Sequence, residues 1–225
     1  MDPIVKICGI NSLEALDAAL DAGADMVGLV RFPKSPRHLG LEEGQALSVR
    51  ARGKALRVAL VVDADDAALA ETVEAFDPDL LQLHGSETPE RVAAIRARFG
   101  RPVMKAVGIA SAGDLAAIEA YQGVADRLLL DAKPPAAAEA LPGGNGVPFD
   151  WRLVASLDAA KPVMLSGGLD SENVAAAIAL TGVQAVDVSS GVERRPGEKD
   201  PERIEAFVRA ARAAFAASQH KDKVP

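Results

Sequence analysis

Eight short apolar runs recur along the 225-residue chain, each followed by a turn and a longer Ala/Leu-rich stretch with helical spacing. Short runs rich in β-branched side chains read as buried strands, and apolar residues recurring at i, i+3 and i+4 read as amphipathic helices. Strands are expected at Ile4–Cys8, Met26–Val30, Leu56–Val62, Leu80–His84, Val103–Val107, Arg127–Asp131, Val163–Ser166 and Ala185–Ser189. Helices are expected near 12–22, 41–51, 65–75, 88–98, 111–120, 149–157, 171–180 and 201–217. The punctuation agrees. Asn11 with Glu14 reads as a capping box, Gly23 as a left-handed helix stop, and Asp200-Pro201 as a cap with proline at the first helical position.

This alternation limits the fold to a parallel α/β architecture. A closed barrel and an open doubly wound sheet share the same local pattern. The length and the absence of a long linker favour a single (β/α)8 TIM barrel. We expect it over residues 1–217, with 218–225, which lack apolar periodicity, as a disordered tail. One cysteine excludes an internal disulfide, and the N-terminal residues lack the basic and apolar regions of a secretory signal, so a cytoplasmic location is expected. No apolar run is long enough to span a bilayer, and a net charge of -7 with one Trp and one Tyr offers no basic aromatic surface. Neither membrane nor nucleic acid is an expected partner; a small molecule is.

In a barrel, alternate strand residues point inward and the C-terminal strand ends carry the chemistry. Lys6 and Cys8 share one face of the first strand, Gln82 and His84 one face of the fourth, and Asp187 and Ser189 one face of the eighth, while Asp131 ends the sixth. Each residue has an ordinary structural reading. A lone Cys packs as a small apolar residue, an Asp after a strand caps a turn, and a His before Gly sits in one. Asp187 resists this because a carboxylate inside an apolar strand needs a partner. Three scattered histidines and one cysteine show no metal-ligand spacing. The glycine-bearing turns "LSGGLDSENV" and "DVSSGVE" follow the last two strands, where barrels often hold phosphate on backbone N–H groups, and Arg37 adds positive charge. The long segment "KPPAAAEALPGGNGVP" leaves the sixth strand on the same side.

The stretches "VKICGI", "GADMVGLVRFPKSPRHL", "LLQLHGSE", "LLLDAKPP", "GGNGVPFDW", "LSGGLDSENV" and "VDVSSGVERRPGEKD" resemble, in order and spacing, the phosphoribosylanthranilate isomerase family of tryptophan biosynthesis. The resemblance runs from about residue 4 to residue 212. It implies a (β/α)8 barrel that performs an Amadori rearrangement of phosphoribosylanthranilate without metal or other cofactor. By motif it makes Cys8 the general base and Asp131 the general acid. Lys6, His84 and Asp187 would line the mouth, and Arg37 would bind the anthranilate carboxylate. Gly143, Gly144, Asn145 and Gly146 would close over the substrate, and Gly167, Gly168, Ser190 and Gly191 would hold its phosphate.

The chain departs from the family pattern at Arg31, in "VVDADD" after the third strand, and at Asn145. Two other readings stand beside this one. A related phosphate-binding barrel, such as the histidine-pathway isomerase, generally has Asp where this chain has Cys8. A non-catalytic phosphate-ligand sensor would have no need of Cys8 and Asp131. A monomer is expected, with a homodimer as the alternative.

Overall fold

The eight apolar runs form eight parallel strands in the computed structural model, which describes residues 2–133, 149–155, 157 and 160–221. The order is β1 (Ile4–Cys8), α1 (Leu13–Asp21), β2 (Met26–Arg31), α2 (Leu41–Ala51), β3 (Leu56–Val61), α3 (Asp66–Phe76), β4 (Leu80–Leu83), α4 (Pro89–Phe99) and β5 (Val103–Ile109). There follow α5 (Ala116–Gln122), β6 (Arg127–Ala132), α6 (Arg152–Ala155), β7 (Val163–Leu165), α7 (Val174–Thr181), β8 (Ala185–Val188), β9 (Glu193–Arg195), β10 (Glu198–Lys199) and α8 (Pro201–Lys221). Neighbouring strands pair in sequence, and β1 pairs with β8 through Ile4–Ala185, Val5–Val186, Lys6–Asp187 and Ile7–Val188. That last ladder closes the barrel, excludes the open sheet, and leaves no exposed edge among the eight strands.

Strand alternation divides the apolar residues into two cores. Met26, Val58, Leu80, Met104, Leu129 and Met164 fill the barrel's interior. Val5, Ile7, Val27, Leu29, Leu81 and Leu83 face outward against the helices, where Leu16, Leu69, Ile95, Ile178 and Phe207 meet them. Each such side chain, fully buried, contributes roughly 1.5–3 kcal/mol. Gly44 in α2 shows how tightly this layer is fitted, since a Cβ there would lie 2.0 Å from Phe76 Cε1.

Most boundaries follow the expected punctuation. Gly23 takes φ 84° after α1, and Asp200 accepts from the N–H of Glu202 at 3.0 Å ahead of Pro201. Asn11 does not cap α1. Ser12 does, accepting from Ala15 N–H at 3.1 Å, while Asn11 Nδ2 reaches across to the Gly197 carbonyl at 2.8 Å. Both residue types favour the cap position, and the tertiary contact decides between them. α6 begins at Arg152, three residues after the start of the expected 149–157 helix, and α8 continues to Lys221, past the expected boundary at 217. Among the described residues no helix is long and apolar enough to cross a membrane.

Candidate active site

The inward alternation of β1 carries Lys6 into the barrel and Cys8 to its C-terminal mouth. Room for the thiol comes from the neighbouring strand. Cys8 pairs with Gly28, where a Cβ would lie 2.7 Å from Cys8 Sγ. Val30 and Leu60 complete the buried wall around Cys8, and Phe32 and Val62 pack against it. Gly28 was not singled out by the sequence; the signal was a lone glycine inside an apolar strand, which marks a close approach.

Beneath the thiol, Lys6 Nζ donates to Asp187 Oδ1 at 2.8 Å, and both residues are buried. Asp187 Oδ2 accepts from Ser166 Oγ at 3.1 Å. The pairing satisfies the expectation that a carboxylate within an apolar strand has a partner. Burial opposes the Lys6 ammonium, yet Asp187 and Cys8 together keep its pKa above the ordinary lysine value. For Cys8, burial pushes the thiol pKa up; Lys6 counters this, and the Asp187 charge adds to the rise. Lys6 therefore limits the rise without reversing it.

A second chain of hydrogen bonds crosses from β4 to β6. Gln82 Nε2 lies 2.9 Å from His84 Nδ1, and His84 Nε2 lies 3.2 Å from Asp131 Oδ2. Asp131 Oδ1 accepts from Ala132 N–H at 2.9 Å. Gly167, with φ 85°, lets the β7–α7 turn approach this carboxylate, since a Cβ there would meet Asp131 Oδ1 at 3.0 Å. Cys8 and Asp131 thus stand on β1 and β6, with only β7 and β8 between them on the short way round.

Arg37 is placed differently from the expectation. The bidentate edge that the resemblance reserves for a substrate carboxylate is filled by Glu193, with Nε–Oε1 at 2.7 Å and Nη2–Oε2 at 2.8 Å. Such forked pairs are geometrically favourable, and burial strengthens them. Lys199 Nζ joins the same carboxylate at 2.8 Å and donates to the Ser189 carbonyl at 2.9 Å. Burial opposes the Glu193 charge, but Arg37 and Lys199 bring its pKa below the usual value. Burial also draws Lys199 down to about 8, partly offset by Glu193. Glu193 and Lys199 escaped the sequence reading because they belong to a short hairpin whose fold depends on this cluster.

The two glycine turns come together as expected. Gly168 has φ 67°, Ser190–Val192 form one 3-10 turn, and a Cβ on Gly191 would lie 2.0 Å from the Leu169 carbonyl oxygen. The β7–α7 turn is braced internally, with Asp170 Oδ1 accepting from the N–H groups of Glu172 and Asn173 and Asn173 Nδ2 donating to the Gly168 carbonyl at 2.8 Å. Gly143, Gly144, Asn145 and Gly146 lie outside the described residues. Arg31 leaves the mouth, its Nη1 lying 3.0 Å from His38 Nε2 on the outer side of β2. Asp63, in the altered segment after β3, takes a left-handed φ of 47° and accepts from Ser86 N–H at 2.7 Å. This Asp–Ser contact ties the loops after β3 and β4 together. Cavities of about 470 and 460 Å³ open at the opposite, N-terminal face and contain none of these groups.

A closed eight-strand barrel with titratable side chains gathered at one mouth defines a (β/α)8-barrel enzyme. Residues 5–210 match the family described as N-(5'phosphoribosyl)anthranilate (PRA) isomerase, and the chain belongs to it. It is 61% identical over 215 residues to N-(5'-phosphoribosyl)anthranilate isomerase of Azorhizobium caulinodans, covering 96% of this chain and 94% of that one. Phosphoribosyl anthranilate isomerase of Thermotoga maritima superposes with a TM-score of 0.84 at 36% identity, covering 95% of this chain and all of the other. A phosphoribosyl anthranilate isomerase in complex with reduced 1-(o-carboxyphenylamino)-1-deoxyribulose 5-phosphate gives a TM-score of 0.81 at 35% identity, with 95% and 100% coverage.

Proposed function

We infer that this chain isomerises N-(5-phosphoribosyl)anthranilate to 1-(2-carboxyphenylamino)-1-deoxyribulose 5-phosphate, the Amadori step of tryptophan biosynthesis. The observation that carries the reading is the placement of Cys8 and Asp131, both buried, at the inner C-terminal ends of β1 and β6. An aldose-to-ketose rearrangement needs one group to protonate the furanose ring oxygen and another to remove the C2′ proton.

Asp131 gives its proton to the ring oxygen, and the C1′–O bond breaks as the anilino nitrogen lone pair forms the C1′=N bond. Cys8, as thiolate, takes the proton from C2′, and the C–H electrons shift to give the enolamine. Tautomerisation then adds a proton at C1′ and removes one from the C2′ hydroxyl, so product and substrate are isomers. Lys6 offsets the charge of the thiolate and is itself held by Asp187, which supports a positioning role for that pair.

The phosphate lies on the turns at Gly167-Gly168, where positive-φ backbone allows N–H groups to converge, and at Ser190-Gly191, the start of a 3-10 turn. The aminobenzoate ring packs on Phe32 and Val62 beside Cys8. Its carboxylate meets the Arg37–Glu193–Lys199 cluster, whose formal charges sum to +1 when Lys199 is protonated. The scheme calls for no cofactor, and it requires a reduced thiol, which a cytoplasmic location maintains. Each group comes from one chain over residues 1–217, which supports a monomer as the catalytic unit. Loss of phosphoribosylanthranilate fluorescence on adding purified protein, unchanged by a chelator, is the expected result. No loss, or comparable turnover of the histidine-pathway aminosugar phosphate, would overturn the reading.

A further inference from the structure

The chain Gln82–His84–Asp131 contains two residues, Gln82 and His84, that the scheme above does not use. Gln82 is wholly buried, on the inward face of β4, and its amide nitrogen lies 2.9 Å from His84 Nδ1. Among the described residues its Oε1 has no hydrogen-bond partner. The opposite amide orientation would not be better satisfied. For an imidazole with one ring proton it would require that proton on Nδ1, strand the NH2 group, and leave the bare Nε2 lone pair 3.2 Å from Asp131 Oδ2. With Asp131 ionised, that contact is a repulsion; with Asp131 protonated, it draws the acid proton toward His84 and away from the substrate.

The geometry points to Gln82 as a positioning residue that holds His84 in the Nε2–H tautomer, so that His84 donates to Asp131. This rests on Asp131 being the acid of the proposed reaction. Its consequence is specific. Each carboxylate oxygen has two lone-pair sites, so Oδ2 accepts from His84 while a site remains for the proton to be transferred. After transfer, the Asp131 carboxylate keeps two donors, His84 Nε2–H and Ala132 N–H. His84 thus stabilises the conjugate base without competing for the acid proton.

The test is 15N NMR of the histidine side chains in the full-length protein, which has three histidines, with His84 assigned by loss of its signals in His84→Asn. Wild type should carry its His84 proton on Nε2. Gln82→Met, which keeps the volume and removes the donor, should populate the Nδ1–H form. Its kcat should fall about 10- to 100-fold, the range seen for outer partners of metal-bound histidines, with KM held within about twofold. A wild-type His84 protonated on Nδ1 would overturn the inference, as would a folded Gln82→Met that retains both the Nε2–H tautomer and full kcat. If Gln82→Met does not fold, the wild-type tautomer decides alone. An Nε2–H spectrum in a protein that fails to isomerise phosphoribosylanthranilate would refute the functional reading and leave the hydrogen-bond assignment standing.

Discussion

Replacing Lys6 by Met separates the two tasks assigned to that residue. Its ammonium is fully buried, 2.8 Å from Asp187, and Asp187 is 3% exposed. Removing one partner leaves a carboxylate in the barrel with Ser166 Oγ as its one side-chain donor among the described residues. Breaking a buried ion pair costs about 3–5 kcal/mol, whereas replacing both partners by apolar groups is often neutral. Lys6→Met should therefore lose about 3–5 kcal/mol in urea unfolding, and Lys6→Met/Asp187→Leu should recover most of it. The folded pKa of Lys6 is raised, so its contribution is fully present below about 10.4 and disappears only as pH rises through the higher folded value. The loss should thus be constant from about pH 6 to 9.

Activity should behave otherwise. Lys6 is the main counterweight to the burial that raises the Cys8 pKa, so neither variant should recover the wild-type rate and both should shift the basic limb of the pH–rate profile upward. A double variant that regains both stability and an unshifted limb would refute the linkage between Lys6 and the thiol.

Three further outcomes follow from the packing and charge. Gly44→Ala places a Cβ inside the van der Waals radius of Phe76 and should destabilise the fold by about 1–3 kcal/mol in denaturant unfolding, with kcat unchanged. Gly28→Ala crowds Cys8 Sγ and should lower kcat at least tenfold in the fluorescence assay; a full-rate variant would show that the thiol's position is not constrained by Gly28. KM should rise above pH about 8, where Lys199 loses its proton and the cluster around Glu193 loses its positive charge.

The strands were legible because a barrel strand buried on both faces is a continuous apolar run, and the inward positions of Lys6, Cys8 and Asp187 followed from alternation. Closure was not legible in periodicity, because pairs such as Lys6–Asp187 join positions 181 apart and leave no local signature. The same reason hid the Arg37–Glu193 fork, which spans 156 positions and fixes the orientation of the guanidinium. At α1 the sequence held two adjacent cap residues, and only the contact of Asn11 with Gly197 selects Ser12. His84 and Asp131 were each recognisable as mouth residues, but their hydrogen bond depends on the separation of β4 and β6 around a closed barrel. Gln82 had appeared only as the neighbour sharing a face with His84.

The central claim is that Cys8 removes the C2′ proton and Asp131 protonates the ring oxygen. The measurement that addresses it most directly is single-turnover decay of phosphoribosylanthranilate fluorescence with folded Cys8→Ser and Asp131→Asn, each at saturating enzyme. Losing a positioned acid or base should slow the decay by about 10²–10⁴ in each variant, with substrate affinity retained. Decay at the wild-type rate in either would contradict the assignment of that residue.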